Sequence, residues 1–169
     1  MEDILRKIKV TSGNSIDGYK HKTLVLTEEE YEYIQDYIGL EIFALENDID
    51  FINVIYNDTI EFIHYSNKNN EDSIKNNGLI IQDSNIIMDL GIGIYVVEKN
   101  DEIAIDNLSC YIEELNLEND ILKITGVYSG EYEKCVYGSE HEGYIVILDD
   151  IPPNNINIEK TSLDNFFAA

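Results

Sequence analysis

Phe62-Ile63-His64-Tyr65-Ser66 and Leu90-Gly91-Ile92-Gly93-Ile94-Tyr95-Val96-Val97 are two apolar runs, one carrying a histidine and the other a Gly-x-Gly-x-Tyr. Their β-branched and aromatic content reads as strand. Between them the chain is wholly polar from Asn67 to Asp72, and Asn69-Asn70-Glu71-Asp72 supplies N-cap candidates for a short helix through Ile74 and Lys75 to Asn77. Gly78 is the expected C-cap. Strand, short helix and strand in this order, with β-like runs on both sides, predict an α+β fold: a central antiparallel β-sheet with few short helices.

Upstream, Thr23-Leu24-Val25-Leu26 is a strand candidate, and Thr27 followed three residues later by Glu30 is a capping box. Glu28 and Glu29 suit the positive end of a helix, and Tyr31, Ile34, Tyr37 and Ile38 recur at helical spacing before Gly39. Leu40 to Leu45 adds a helical turn or two. Asn57-Asp58-Thr59 is a turn signal between two β-like runs, so residues 51 to 65 are expected to form a hairpin, with His64 near the end of its second strand.

Downstream, residues 106 to 116 suit a helix. Ile121 to Tyr128 and Tyr132 to Tyr137 flank Ser129-Gly130 and predict a second hairpin. Tyr144 to Leu148 reads as a buried strand, Asp149-Asp150-Ile151-Pro152-Pro153 stops it, and Ile156 to Ile158 suits a final edge strand. The organisation expected is an N-terminal α+β extension over residues 1–59 and a second α+β unit over residues 60–169, or one continuous domain.

At 169 residues the chain is long enough to bury a core without metal or disulfide, and 44% hydrophobic residues argue against global disorder. Its charge is unusual: 34 acidic against 11 basic residues give a net charge of -23. The acidity is spread out, with 13 acidic and 5 basic residues in 1–60 and 21 and 6 in 61–169. Such a surface repels phosphate backbones and anionic membranes, and it favours a basic protein partner. Cys110 and Cys135 form no CxxC and have no paired histidine cluster, so two reduced, buried thiols and a cytoplasmic setting are expected. No signal-peptide pattern follows Met1-Glu2-Asp3-Ile4-Leu5-Arg6, and no apolar run approaches transmembrane length.

Phosphate loops of the Walker type, a G-x-S-x-G elbow and HExxH are all missing, and Gly91-x-Gly93 precedes a strand instead of opening a helix. A histidine at a strand end, a tyrosine after two glycines and the Glu140-His141-Glu142-Gly143 segment before a late strand remain. Over about residues 60 to 158 this order resembles the ADP-ribosyltransferase fold of the diphtheria-toxin and poly-ADP-ribose polymerase type. The matching stretches end with Glu142-Gly143-Tyr144-Ile145-Val146-Ile147 and Ile151-Pro152-Pro153-Asn154.

The resemblance implies NAD as cofactor and a macromolecular target. It implies that His64 binds ribose, that Tyr95 stacks on nicotinamide, and that Glu142, with Glu140 as the alternate, stabilises positive charge developing at the ribose. Tyr65, Ser66, Gly91 and Gly93 would line the cofactor site. Each residue also has a plain structural reading: a hydrogen-bonded strand histidine, a packed tyrosine, a solvated turn carboxylate. A rival function follows from the charge alone: a non-enzymatic acidic inhibitor, of phage anti-defence or immunity type, that blocks a basic nucleic-acid-binding protein or nuclease in place of nucleic acid. In that reading Tyr128, Tyr132 and Tyr137 with Glu131, Glu133 and Glu140 form the contact surface, through cation–π contacts and ion pairs.

Overall fold

A computed structural model describes residues 8–12, 20–37, 39–81, 94–106, 120–138 and 142–162. These fold as α+β, a central sheet with a few short helices. In chain order the elements are β1 (Ile8–Ser12), β2 (Lys20–Thr27), α1 (Glu28–Tyr37), α2 (Leu40–Glu46), β3 (Phe51–Asn67), α3 (Glu71–Asn77), β4 (Ile94–Glu98), β5 (Asp120–Tyr137), β6 (Ile145–Ile147) and β7 (Ile156–Ser162). Residues 102–106 add a helical turn after β4.

The two predicted hairpins do not form. Residues 51–67 are one strand of 17 residues and residues 120–137 another of 18, and the two pair antiparallel from Ile52↔Tyr137 to Asn67↔Ile121. The turn-like segments lie opposite each other instead, with Asn57↔Glu131, Asp58↔Gly130 and Thr59↔Ser129 in register. Each supplies what the other lacks: the Thr59 and Ser129 hydroxyls hydrogen-bond at 2.7 Å, and the Tyr128 hydroxyl donates to the Glu131 carbonyl at 2.7 Å. Gly130 sits at φ 151°, and a Cβ there would come within 2.7 Å of the Tyr128 hydroxyl. The glycine that reads as a turn residue serves a kink within a strand.

This ribbon organises the sheet. β2 runs parallel to the first part of β3, the one parallel pairing among the described strands, and β1 adds antiparallel to β2. α1 and α2 form the crossover that parallel strands require. β4 pairs with β3 at Phe62 and Ile63, β6 pairs with β4 and with β5, and β7 lies along the first half of β5. The pairings β3–β4, β4–β6, β6–β5 and β5–β3 therefore close on themselves into a small four-stranded ring. β3 crosses residues 59 and 60 without a break.

Alternation along the strands sorts the side chains into layers. Phe62, Ile94, Val96, Ile124, Tyr132 and Ile147 fill one buried cluster with Ile74 and Leu79 closing it. On the other side Ile63, Val97, Cys135, Tyr144 and Val146 pack with Ala104 of the helical turn. Leu24, Leu26 and Ile52 pack under Ile34, Phe43 and Ala44 of α1 and α2. α1 opens on the predicted capping box: Thr27 N–H donates to Glu30 Oε1 at 3.0 Å and Glu30 N–H to Thr27 Oγ1 at 3.2 Å. The helix expected over 106–116 lies, beyond residue 106, outside the described residues. Among the described residues no helix is long and apolar enough to cross a membrane.

Candidate functional site

His64 stands near the end of β3, where that strand has passed its pairing with β4. Its Nδ1 lies 2.6 Å from the Tyr95 carbonyl oxygen. A carbonyl can only accept, so Nδ1 carries the proton and Nε2 of the neutral ring is left as an acceptor. Burial holds the His64 pKa below its ordinary 6.5, outweighing the Tyr95 carbonyl, which favours the charged ring. The residue is a neutral, tautomer-fixed imidazole at pH 7.

His64 lines a cavity of about 110 Å³ between the ends of β3 and β4 and α3. Ser66, Asn70 and Ser73 give it polar walls, and Ile74, Leu79 and Ile94 close it with apolar ones. Asn70 Nδ2 donates to Ser66 Oγ at 2.9 Å, which orients that hydroxyl. α3 is tied to β7 through Glu71. Glu71 receives Lys160 Nζ of β7 at 3.2 Å and Lys75 Nζ at 3.4 Å. The hydrogen bond from Lys160, reinforced by Lys75, draws the Glu71 carboxyl below its usual range.

Gly78 ends α3 with φ 76°, its N–H on the Ile74 carbonyl at 2.8 Å. A Cβ at this position would fall 2.0 Å from the Ile151 carbonyl oxygen, because the chain here touches the segment after β6 backbone to backbone. Leu79 N–H donates to Ile151 O at 2.9 Å and Ile151 N–H to Leu79 O at 2.8 Å. The Ile151-Pro152-Pro153 stop thus forms the outer support of the cavity.

The remaining candidates are spread over two sides of the sheet. The Tyr95 ring packs in the opposite cluster with Ile63, Val97, Tyr144 and Val146, so His64 meets the backbone of Tyr95 and not its ring. Tyr65 belongs to that same cluster, and burial with Glu159 nearby pushes its phenol up to about 12. Ser66 joins His64 in the cavity. Glu142 is exposed in the turn before β6, on the side of Cys135, whose thiol is pushed up to about 12, chiefly by burial. Glu142 does not line the His64 cavity. Gly91, Gly93, Glu140, His141 and Cys110 lie outside the described residues.

Of the tyrosine contact surface expected of the rival reading, Tyr128 and Tyr132 are buried, 6% and 4% exposed, and so is Glu133, whereas Tyr137 is half-buried and Glu131 exposed. Those three are buried because the second hairpin the expectation rested on is a central strand, paired with β3 along one edge and with β6 and β7 along the other. Glu133, expected on an exposed contact surface, is a buried carboxylate. Its Oε1 accepts from Asn53 Nδ2 at 3.1 Å, and Asn53 is wholly buried with Oδ1 left without a hydrogen-bond partner. Register places Val146 between Tyr95 and Glu133, so Glu133 shares the Tyr95 face two strands away. Only the parity of β5 relative to its neighbours reveals this, and parity is invisible once Ser129-Gly130 is read as a turn.

A second, open cleft of about 570 Å³ lies beside the bend of the ribbon, lined by Tyr128, Asp149, Asp150 and Asn154 among others. Tyr128 hydroxyl has Asp149 Oδ2 as a second acceptor at 3.3 Å, and burial together with Asp149 pushes its pKa up to about 12. Among the described residues no three His, Cys, Asp or Glu side chains stand as a metal site. No family model matches the chain, and no curated protein or solved structure matches it.

Proposed function

We propose that the protein is an ADP-ribosyltransferase-like protein that binds NAD at the His64 cavity and modifies a macromolecular target. The observation that carries this reading is the His64–Tyr95 contact. A ring held by a backbone carbonyl through Nδ1 offers Nε2 to a ribose hydroxyl, in a cavity whose other polar groups are serine hydroxyls and an amide. Among the described residues no carboxylate lines that cavity, which suits a polyanionic cofactor. Its volume matches a ribose-sized portion, so the rest of the dinucleotide would extend beyond it. NAD supplies a glycosidic bond whose cleavage develops positive charge at the ribose. Toward it, His64 would position the ribose, and Tyr95 would act only through the carbonyl that holds the His64 ring.

Incubation with labelled NAD and basic candidate proteins tests the reading. Label should pass to protein, and His64→Ala should abolish transfer while Ser73→Ala weakens it. Undiminished transfer by the His64→Ala variant would sink the assignment.

A second reading, a non-enzymatic acidic inhibitor of a basic nucleic-acid-binding protein, is favoured by the exposed position of Glu142 together with the net charge of -23. Its signature is stoichiometric inhibition without NAD that weakens steeply with salt. Inhibition unchanged by salt would exclude it.

A further inference from the structure

The helical layer over β2 combines exposed apolar side chains with a run of carboxylates. Residues 28 to 50 hold nine carboxylates and no Lys, Arg or His. Within them, Ile42 and Leu45 of α2 are 54% and 70% exposed, and Tyr33 of α1 is 58% exposed. Ile42 and Leu45 stand three residues apart and so share one helix face, while Phe43 and Ala44 of the same helix take care of the core. Glu41, Glu46 and Asp48, adjacent in sequence, are exposed as well. The one cation described nearby, Lys22, sits 3.5 Å from Asp48.

We infer that the α2 face is a docking surface for a cationic amphipathic segment of another protein, its apolar residues on Ile42 and Leu45 and its Lys or Arg on the adjacent carboxylates. Charge decides among occupants. A second copy would bring -23 against -23, and an anionic lipid surface is repelled in the same way. A purely basic partner would satisfy the carboxylates and leave the aliphatic side chains wet. A segment carrying both chemistries covers both, and apolar contact inside a charged rim is the usual anatomy of an interface. The inference holds whether or not the His64 cavity takes NAD, since it concerns only how a target or a blocked partner is gripped.

The test uses the whole protein and two probes, a synthetic Leu/Lys peptide with leucines at helical spacing and an oligolysine of equal charge. Titration calorimetry without NAD should show tighter binding of the Leu/Lys peptide. The double change Ile42→Ser with Leu45→Ser should weaken that peptide at least about tenfold, roughly 1.4 kcal/mol, and leave oligolysine within about twofold. Ile103, 73% exposed on the turn after β4, provides the comparison, and Ile103→Ser should change neither probe. Equal damage from Ile103→Ser, or an unaltered Leu/Lys affinity in the double variant, would overturn the inference. Since all three side chains point into solvent, unfolding curves of the variants should match the parent, and Leu45→Gln alone gives a milder version of the same loss.

Discussion

Replacing Gly78 by alanine should be among the most damaging single-atom additions to this protein, and Gly39 makes the claim measurable. Both glycines have positive φ, 76° and 81°, and each lies at the end of a helix. A non-glycine residue in such sparsely populated backbone territory costs about 1–3 kcal/mol. They differ in their surroundings: a Cβ on Gly39 meets nothing within 4 Å, whereas a Cβ on Gly78 meets the Ile151 carbonyl oxygen at 2.0 Å and Pro152 and Pro153 backbone atoms at 2.9 Å. Backbone cannot rotate aside like a side chain, so the segment after β6 must move. The reciprocal hydrogen bonds between Leu79 and Ile151, at 2.9 and 2.8 Å, would then be lost. Those two bonds are worth about 0.5–1.5 kcal/mol each, so Gly78→Ala should cost roughly 1–3 kcal/mol more than Gly39→Ala. Urea unfolding of both variants, followed by circular dichroism, gives the difference directly as a shift in midpoint at constant slope. Equal loss in the two variants would refute the close approach of α3 to the Ile151 segment, and with it the described support of the His64 cavity.

Two further outcomes follow from the same geometry. The low pKa of His64 means that the folded state resists protonation, so the unfolded chain binds the extra proton as pH falls below the ordinary 6.5. Stability is therefore fully present above pH 6.5 and declines through His64 below it. His64→Gln should flatten the pH dependence of urea midpoints in that range, and an unchanged slope would contradict the neutral ring. At the start of α1, Thr27→Ala removes the hydroxyl that caps Glu30 N–H and should lower stability by about 1 kcal/mol. Thr27→Ser should restore most of it in the same unfolding assay.

Local chemistry was legible in the sequence, and long-range register was not. Thr27 and Glu30 announce the start of α1, Gly39 its end, and Gly78 the end of α3, because caps are decided by atoms within a few residues. The Pro152-Pro153 stop and the edge strand after it were readable for the same reason. Asn57-Asp58-Thr59 and Ser129-Gly130 misled because each is a turn signal judged alone, while in the fold each finds its hydrogen bonds on the other. The parallel pairing of β2 with β3 was equally hidden, since nothing in Thr23 to Leu26 tells which neighbour it will choose. At the candidate site, His64 could be placed at a strand end, and its cavity agrees with the polar Asn70 and Ser73 that follow. That the Tyr95 ring faces the other cluster depends on the Ile63↔Val97 register, which no local pattern carries. The burial of Glu133 was hidden on similar grounds, since it reads as one more surface carboxylate until its strand is paired on both edges.

The closed ring of β3, β4, β6 and β5 also dictates an order of events during synthesis. β3 is finished at Asn67, but the strand that runs along its whole length starts only at Asp120, and the short β6 that completes the circuit ends at Ile147. Until then one edge of a 17-residue strand stands open while the ribosome makes more than half of what remains. Pairings so distant along the chain form slowly, and an open edge invites another nascent chain. Carboxylates already emerged on either side of β3 would keep two such chains apart in that interval, so the acidity of the finished protein also guards the unfinished one.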